Sequence, residues 1–332
     1  MSVKTAKKSK TTISNEILEK AYRLMHTAKR MAEIYDENKA IASKYVHSTS
    51  RGHEAIQLAA SMQLKPIDYL APYYRDESIL LGIGMEPYEL MLQLMAKKDD
   101  PFSGGRSYYN HPSLKREGMP TIPHQSSATG MQVIPATGMA HGLKFKEEHG
   151  LGSEGEKPVV VCSLGDGSVT EGEVAEAFQM AVLKNLPIIY LVQDNDWGIS
   201  ATGKEMRAMD AYEYAAGFKG LKRMQANGTD FEDSYTKMGE AIKYVRNRKG
   251  PVLLHANCPL LGHHTSGVRK EWYRSADDLE LHSLGDPIPK FHQYLLKNSF
   301  SEEELNQLEK DAIKIANEAY EKALDADDVD PS

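Results

Sequence analysis

Apolar residues recur at helical spacing near both ends of the chain. In residues 14–35 and again in residues 301–324 they return every three or four positions, which is the pattern of a helix with one buried face. Ser301 and Glu304 also match a capping box, in which each side chain accepts a hydrogen bond from the other residue's backbone N–H group. We therefore predict long amphipathic helices in both regions.

The middle of the chain alternates between short apolar runs and helical patterns. Residues 158–164, 186–193 and 252–256 are apolar runs that each begin within one residue of a proline. Such runs are typical of buried strands, and helices between them indicate a parallel sheet with crossover connections. Residues 52–62 and 77–94 have helical spacing. We predict an α/β fold: a central, mostly parallel sheet flanked by helices, with N- and C-terminal helical extensions.

One long segment has neither pattern. Residues 97–127 are rich in Gly, Pro, Ser and Asn and read KKDDPFSGGRSYYNHPSLKREGMPTIPHQSS. Irregular segments of this length inside a compact domain usually serve a function. We therefore expect part of this segment to border a binding site.

Composition and charge narrow the class of protein. The chain has 332 residues, a net charge of −7 and two cysteines, so neither a basic nucleic-acid surface nor a disulfide framework is expected. No apolar run approaches the length of a membrane span, and the start MSVKTAKKSK lacks the apolar core of a signal peptide. We expect a cytoplasmic protein with a disordered basic tail at 1–13, one domain at 14–325, and an acidic tail or linker at 326–332.

Two polar clusters follow the first two predicted strands. Gly165, Asp166 and Gly167 come directly after one strand, and Asp194 and Asn195 come directly after the next. The carboxyl ends of parallel strands meet at one edge of a sheet, where open α/β folds bind their ligands. Carboxylate and amide oxygens suit Mg²⁺. Either cluster alone is also an ordinary tight turn, so only their combination favours a binding site.

The helix between these clusters adds a reason to expect an anion. Thr170 and Glu173 match a capping box, which predicts that the helix begins there. Its first N–H groups would then be directed at the same sheet edge, and helix N-termini favour phosphate groups. The pattern predicts a phosphate-bearing ligand held partly through a divalent metal.

The two clusters together resemble the thiamine diphosphate motif, which consists of Gly-Asp-Gly, 25 to 30 residues, and an Asn-Asn or similar pair. Here residues 168–193 separate the clusters. The resemblance implies Mg²⁺ bound by the Asp166 side chain, the Asn195 side chain and the Trp197 carbonyl. It also implies that the cofactor lies against Gly165, Gly167, Ser168 and Gln193.

Three further segments resemble the alpha subunit of the decarboxylase component of 2-oxo acid dehydrogenases. Tyr74 and Arg75 match a pair that binds the diphosphate in that family. Residues 126–138 resemble the segment that lies along the cofactor, with Ser127 touching it. Residues 260–274 resemble a Gly-His-His loop that closes over the cofactor, which implies a catalytic role for His264 and, beside it, His263.

The sequence departs from the family pattern at several positions. Asp194 stands where the first Asn of the motif is usual. The strand-borne Glu and Arg of the family become His255 and Leu260, and a Ser-Asp pair after the histidines becomes Gly267-Val268. These changes leave loop ordering and any phosphorylation-type control open.

The resemblance implies the activity and its partners. Thiamine diphosphate would serve the decarboxylation of a small 2-oxo acid, and the acyl group would pass to a lipoylated acyltransferase. A beta subunit would complete the site in an α2β2 assembly, with no role for nucleic acid or a membrane. The Gly-His-His doublet favours a branched-chain (2-oxoisovalerate) substrate, with pyruvate or acetoin as alternatives.

Two further hypotheses differ in class. A Mg²⁺-dependent phosphoryl transferase using Asp166 would need a nucleophile or a P-loop, and the chain has no G-x-x-x-x-G-K-[ST] segment. A cofactor-binding regulatory subunit without its own turnover remains open because of the departures at Asp194, His255, Leu260 and Gly267-Val268.

Overall fold

The computed structural model describes residues 13–123, 126–152, 155–298 and 300–330. Most predicted tail residues, and His124 and Gln125 of the irregular segment, lie outside these ranges. Ile13, the last residue of the predicted N-terminal tail, is buried in one apolar cluster with Leu18 and Leu305. No helix among the described residues is both long and apolar enough to cross a bilayer.

Within the described residues, five parallel strands form the central sheet in the order β1-β2-β3-β7-β6, and β4 and β5 form a small antiparallel hairpin. The strands in chain order are β1 Tyr69–Ala71, β2 Val160–Gly165, β3 Ile188–Asp194, β4 Trp197–Gly198, β5 Ala201–Thr202, β6 Lys222–Asn227 and β7 Val252–Asn257.

Helices cover both faces of this sheet. In chain order they are α1 Asn15–Glu37, α2 Lys39–Ala42, α3 Glu54–Ser61, α4 Glu77–Gly82, α5 Pro87–Leu94, α6 Val133–Glu148, α7 Gly172–Leu183, α8 Gly203–Met206, α9 Ala211–Tyr214, α10 Phe231–Arg246, α11 Ala276–Ser283, α12 Pro287–Leu296 and α13 Glu302–Leu324. Short 3₁₀ turns lie at Gly167–Thr170, Ala215–Gly217 and Lys270–Trp272.

The apolar runs are continuous because both faces of the sheet are buried. Ile189 and Leu191 of β3 pack toward α1, α4, α5 and α10, whereas Ile188, Tyr190 and Val192 pack toward α6 and α7. Alternate residues of a strand face opposite sides of the sheet, so a doubly covered strand needs apolar residues at every position. The predicted α/β fold with a parallel central sheet is confirmed.

The register of the strands determines which residues meet at the carboxyl edge. Gly165 of β2 is paired with Gln193 of β3, and Gln193 is paired with Ala256 of β7. The segments that follow β2 and β3 therefore leave the sheet side by side. This geometry brings the two polar clusters of the sequence to one edge.

Several predicted elements differ in detail. The helix predicted at 77–94 is wrong as a single element, because Gly84 takes a left-handed φ of 108° and Pro87 begins a new helix, α5. The predicted Thr170 cap is also wrong. Thr170 closes a 3₁₀ turn and donates its hydroxyl to the carbonyl of Gly167, and α7 begins two residues later. The Ser301–Glu304 capping box is confirmed.

The irregular segment and the C-terminal residues are in contact. The backbone N–H of Lys98 donates to the carbonyl of Asp327, and the Lys97 ammonium lies 3.0 Å from an Asp328 carboxylate oxygen. The described part of the predicted acidic tail thus continues past α13 onto this segment. Asp100 organises the segment by accepting hydrogen bonds from the backbone N–H groups of Phe102, Ser103 and Gly105.

Candidate active site

The two predicted polar clusters are joined by an arginine that the sequence analysis did not select. Arg207 donates from Nη1 to Asp166 Oδ2 and from Nη2 to Asp194 Oδ1, both at 2.8 Å. A third contact, at 3.1 Å, reaches the Asp196 carboxylate. The guanidinium therefore compensates two buried carboxylates at the carboxyl edge of β2 and β3.

Arg207 reaches this position because the chain folds back after β3. The β4–β5 hairpin and the short helix α8 return it toward the sheet edge. A Cβ atom on Gly203 would lie 1.9 Å from Asp196 Oδ1, so a glycine is needed where the two segments meet. No spacing rule in the sequence indicates this approach.

Two of the departures from the family pattern contact each other. His255 lies on β7, and its Nε2 is 2.9 Å from Asp194 Oδ2. Burial raises the pKa of the Asp194 carboxyl, but hydrogen bonds from His255 and Arg207 outweigh burial and lower that pKa overall. Burial and the Asp194 charge raise the pKa of Asp166, and Arg207 opposes them. Asp194 is thus the stabilised anion of the pair.

Asn195 is held by backbone and by a second histidine that the sequence analysis missed. Its Oδ1 accepts from the N–H of Trp197, and its Nδ2 is 3.1 Å from Nε2 of His53. His53 Nδ1 in turn lies 2.8 Å from Gln193 Oε1. His53 precedes α3 in a stretch whose sequence suggests only a helix start, so nothing local indicates its place at the sheet edge.

Tyr74 and Arg75 follow β1, next to the end of β2. The Arg75 side chain is only 1% exposed, and its guanidinium donates to the carbonyl oxygens of His264 at 3.1 Å and Thr49 at 3.5 Å. Among the described residues no carboxylate lies within 4 Å of it. A buried guanidinium that makes no ion pair within this distance is unfavourable for folding alone, so the position suits an anionic ligand.

His264 lies beside this pair. Its Nδ1 accepts from the backbone N–H of Ile199 at 3.2 Å, and its Nε2 lies 3.4 Å from the Tyr74 hydroxyl. Burial and the nearby Arg75 charge lower the pKa of His264 to about 3. Because Nδ1 accepts, the neutral ring carries its proton on Nε2 and is arranged as a hydrogen-bond donor.

His263 is directed elsewhere. Its Nδ1 accepts from the backbone N–H of Lys270, and its Nε2 lies 3.5 Å from Asp36 of α1. These groups border a separate cavity of about 270 Å³ between α1 and the 261–271 segment. The structure does not bring His263 to the group formed by Tyr74, Arg75 and His264.

The other predicted positions lie on three separate segments. A Cβ atom on Gly165 would lie 3.4 Å from the Tyr73 ring, and Ser168 is buried in the 3₁₀ turn that begins at Gly167. Ser127 is the last residue of the irregular segment, and its hydroxyl is 3.0 Å from His111 Nε2 of the same segment. Trp197 begins β4 and its ring packs against Tyr273.

The loop with the remaining departures is a compact turn. Val268 donates its N–H to the carbonyl of Thr265, and Gly267 lies between them. Ser266 accepts from the backbone N–H of His47, which ties the turn to the segment before α3. Leu260 is buried and its carbonyl accepts from Arg274.

The protonation of His264 gives a testable pH dependence. Since its pKa is about 3 in the folded chain and about 6.5 when unfolded, the unfolded chain binds more protons between those values. Stability from this group is therefore complete above pH 6.5 and falls as the pH drops, by roughly 1.4 kcal/mol per unit. We expect the free energy of unfolding, measured with urea, to decrease more between pH 7 and pH 5 in the wild type than in His264→Gln. A ring titration near pH 6.5 by NMR would contradict this assignment.

The chain is similar to proteins of known function. A family model described as "Dehydrogenase E1 component" matches residues 20–332. The pyruvate dehydrogenase E1 component subunit alpha of Rickettsia bellii is 30% identical over 276 residues, 81% of this chain and 79% of the relative. The 2-oxoisovalerate dehydrogenase subunit alpha of Bacillus subtilis is 30% identical over 311 residues, 92% and 90% of the two chains. The 3-methyl-2-oxobutanoate dehydrogenase subunit alpha of Mycobacterium tuberculosis is 28% identical over 286 residues, 86% and 72% of the two chains.

Proposed function

We propose, from the premise that this chain belongs to the dehydrogenase E1 component family, that it is the alpha subunit of a thiamine diphosphate-dependent 2-oxo acid dehydrogenase. The relatives named above are alpha subunits of such enzymes. The single observation that best supports the proposal is Arg75, a buried guanidinium with no carboxylate within 4 Å among the described residues. A diphosphate supplies the negative charge that this position lacks.

The donor set at the sheet edge would suit a magnesium ion bound together with a diphosphate. Mg²⁺ prefers one or two protein oxygens together with phosphate oxygens. Asp166 offers a carboxylate, Asn195 an amide oxygen and Trp197 a backbone carbonyl. No group of three or more His, Cys, Asp or Glu side chains suited to a metal occurs in the described part of the chain. In this proposal phosphate oxygens would therefore supply further ligands.

The chain's own groups have distinct roles in this proposal. Thiamine diphosphate, when bound, supplies the electron sink that decarboxylation of a 2-oxo acid requires. Arg75 and Tyr74 bind the diphosphate, and Arg207 is a second cation within reach of the same edge. His264 would donate a hydrogen bond from its Nε2 to the bound cofactor. Burial and the Arg75 charge lower the pKa of its ring, which therefore stays neutral.

The other predicted site residues also have roles in this proposal. In this proposal Gly165, Gly167 and Ser168, together with Gln193 and Ser127, would border the bound cofactor. His263 faces the cavity against α1 and stays a candidate for proton transfer only if the loop moves.

A beta subunit completes the enzyme, because the chain supplies only the diphosphate half of the site. We propose an α2β2 assembly that transfers its acyl group to a lipoylated acyltransferase, and residues 14–325 as a single domain. The two cysteines, Cys162 and Cys258, are buried and unpaired, which supports a reducing, cytoplasmic location. A branched-chain 2-oxo acid is the favoured substrate, with pyruvate or acetoin as alternatives.

Calorimetric titration of thiamine diphosphate into the chain mixed with its beta subunit, with and without Mg²⁺, tests the proposal. We expect binding only with Mg²⁺, and faster CO₂ release from 2-oxoisovalerate than from pyruvate. Faster CO₂ release from pyruvate would identify pyruvate as the preferred substrate and would leave the proposed cofactor site unchanged. Binding without CO₂ release from any of these acids would favour a regulatory subunit, and no binding would refute the cofactor.

A further inference from the structure

A directed series of hydrogen bonds runs through the buried side chains beneath the sheet edge. It begins at the backbone N–H of Ser78, which donates to Gln57 Oε1 at 3.1 Å. A backbone N–H group is only a donor, so this contact fixes which end of the Gln57 amide is oxygen. Gln57 Nε2 then donates to Gln193 Oε1 at 2.8 Å.

The side-chain amide of Gln193 continues the same donor-to-acceptor direction. Its Nε2 donates to Asp76 Oδ1 at 2.7 Å and to Ser163 Oγ at 2.8 Å. Its Oε1 therefore faces His53 Nδ1, at 2.8 Å. An amide oxygen is only an acceptor, so the proton of the His53 ring belongs on Nδ1.

The direction of these hydrogen bonds is also determined independently at the other end of the series, at Asn195. The backbone N–H of Trp197 donates to Asn195 Oδ1 at 3.1 Å, which leaves Asn195 Nδ2 facing His53 Nε2 at 3.1 Å. Nε2 must then be an acceptor, which is the tautomer that Gln193 requires from the opposite side. His53, Gln57 and Gln193 are fully buried, so water does not compete for these groups.

We propose that His53 is a positioning residue, which holds the Asn195 amide so that its oxygen, and not its nitrogen, is presented to the metal. This inference rests on the proposed function, which makes Asn195 a metal ligand. If the amide were flipped, Nδ2 would face the Trp197 N–H and Oδ1 would face the Nε2 lone pair. Each such mismatch would leave a buried polar group without its hydrogen bond, which is unfavourable.

His53→Met and His53→Gln separate this role from simple filling of space. Methionine fills the site without an acceptor, whereas the glutamine Oε1 can accept from Asn195 Nδ2. We expect His53→Met to bind Mn²⁺ about 10–100-fold more weakly, as is usual when a partner of a metal ligand is removed. His53→Gln is expected to recover most of the affinity. The measurement is Mn²⁺ titration by electron paramagnetic resonance, with thiamine diphosphate and the beta subunit present.

His26→Met is the matched control, because His26 is also buried but lies on α1, where its Nδ1 is 3.3 Å from Glu309. Its Mn²⁺ affinity should equal that of wild type. Unchanged affinity in His53→Met together with loss in Asp166→Ala would overturn the role of His53 alone. Unchanged affinity in both would overturn the metal site, and the role of His53 with it.

A second measurement needs neither a variant nor the metal. ¹⁵N NMR of the wild-type chain reports which ring nitrogen of His53 carries the proton. We expect the Nδ1–H tautomer. The Nε2–H tautomer would refute the hydrogen-bond direction and therefore the proposal, even if His53→Met fails to fold.

Discussion

Asp166→Ala is expected to abolish the Mg²⁺ dependence of thiamine diphosphate binding. Asp166 is the only carboxylate among the three proposed metal ligands, and Mg²⁺ binds poorly to neutral oxygens without a carboxylate. Changes to partners of metal ligands alone lower affinity 10–100-fold, so loss of the ligand itself should exceed about 100-fold. Titration of the cofactor at several Mg²⁺ concentrations, with the beta subunit present, measures this.

The fold should survive this substitution. Burial and Asp194 raise the pKa of Asp166, which means that its charged form is disfavoured in the folded chain. Arg207 keeps Asp194 and Asp196 as partners when Asp166 is removed. The melting temperature should therefore stay close to that of wild type, and lost binding would reflect the site rather than unfolding.

Asp196→Ala is the matched control for the same guanidinium. Asp196 contacts Arg207 at 3.1 Å, but its side chain is 59% exposed and it is not a proposed ligand. Its removal should leave Mg²⁺-dependent binding nearly unchanged. If Asp166→Ala binds the cofactor with an undiminished Mg²⁺ response, the metal lies elsewhere.

The sequence predicts the centre of the sheet well, because burial on both faces demands unbroken apolar runs. β2, β3 and β7 were all found this way. β1 was missed because it has three residues, too few for a pattern. β6 was missed because KRMQAN lies at the edge of the sheet and is half exposed, so its composition resembles that of a surface segment.

Site residues that directly follow the strands could be predicted from the sequence. Site residues that reach the sheet edge from distant parts of the chain could not. The two polar clusters follow their strands directly, so their proximity follows from parallel pairing. Arg207 reaches them through a hairpin, and His53 through the packing of α3 against the sheet edge. Neither approach has a local signal, and both require the tertiary structure. The Asp194 and His255 departures likewise look unrelated in sequence but meet at 2.9 Å.

Arg75→Met should weaken cofactor binding while leaving the free chain equally or more stable. The guanidinium is buried with two carbonyl acceptors and no carboxylate within 4 Å among the described residues. A buried charge without an ion-pair partner is costly, so replacing it by an apolar side chain of similar size should not destabilise the free chain. Each lost charge-assisted hydrogen bond to the diphosphate would cost about 1.5–3 kcal/mol, which is roughly 10–100-fold in affinity.

Arg246→Met is the control, because we expect this substitution to lower the stability of the chain. Arg246 on α10 lies 2.8 Å from the fully buried Asp68, which precedes β1 at the other edge of the sheet. Its removal leaves a buried carboxylate unpaired, which typically costs 3–5 kcal/mol. Thermal unfolding and cofactor titration of both variants separate the two roles. A strong loss of stability in Arg75→Met would mean that Arg75 serves the fold, and its use as evidence for a bound diphosphate would fail.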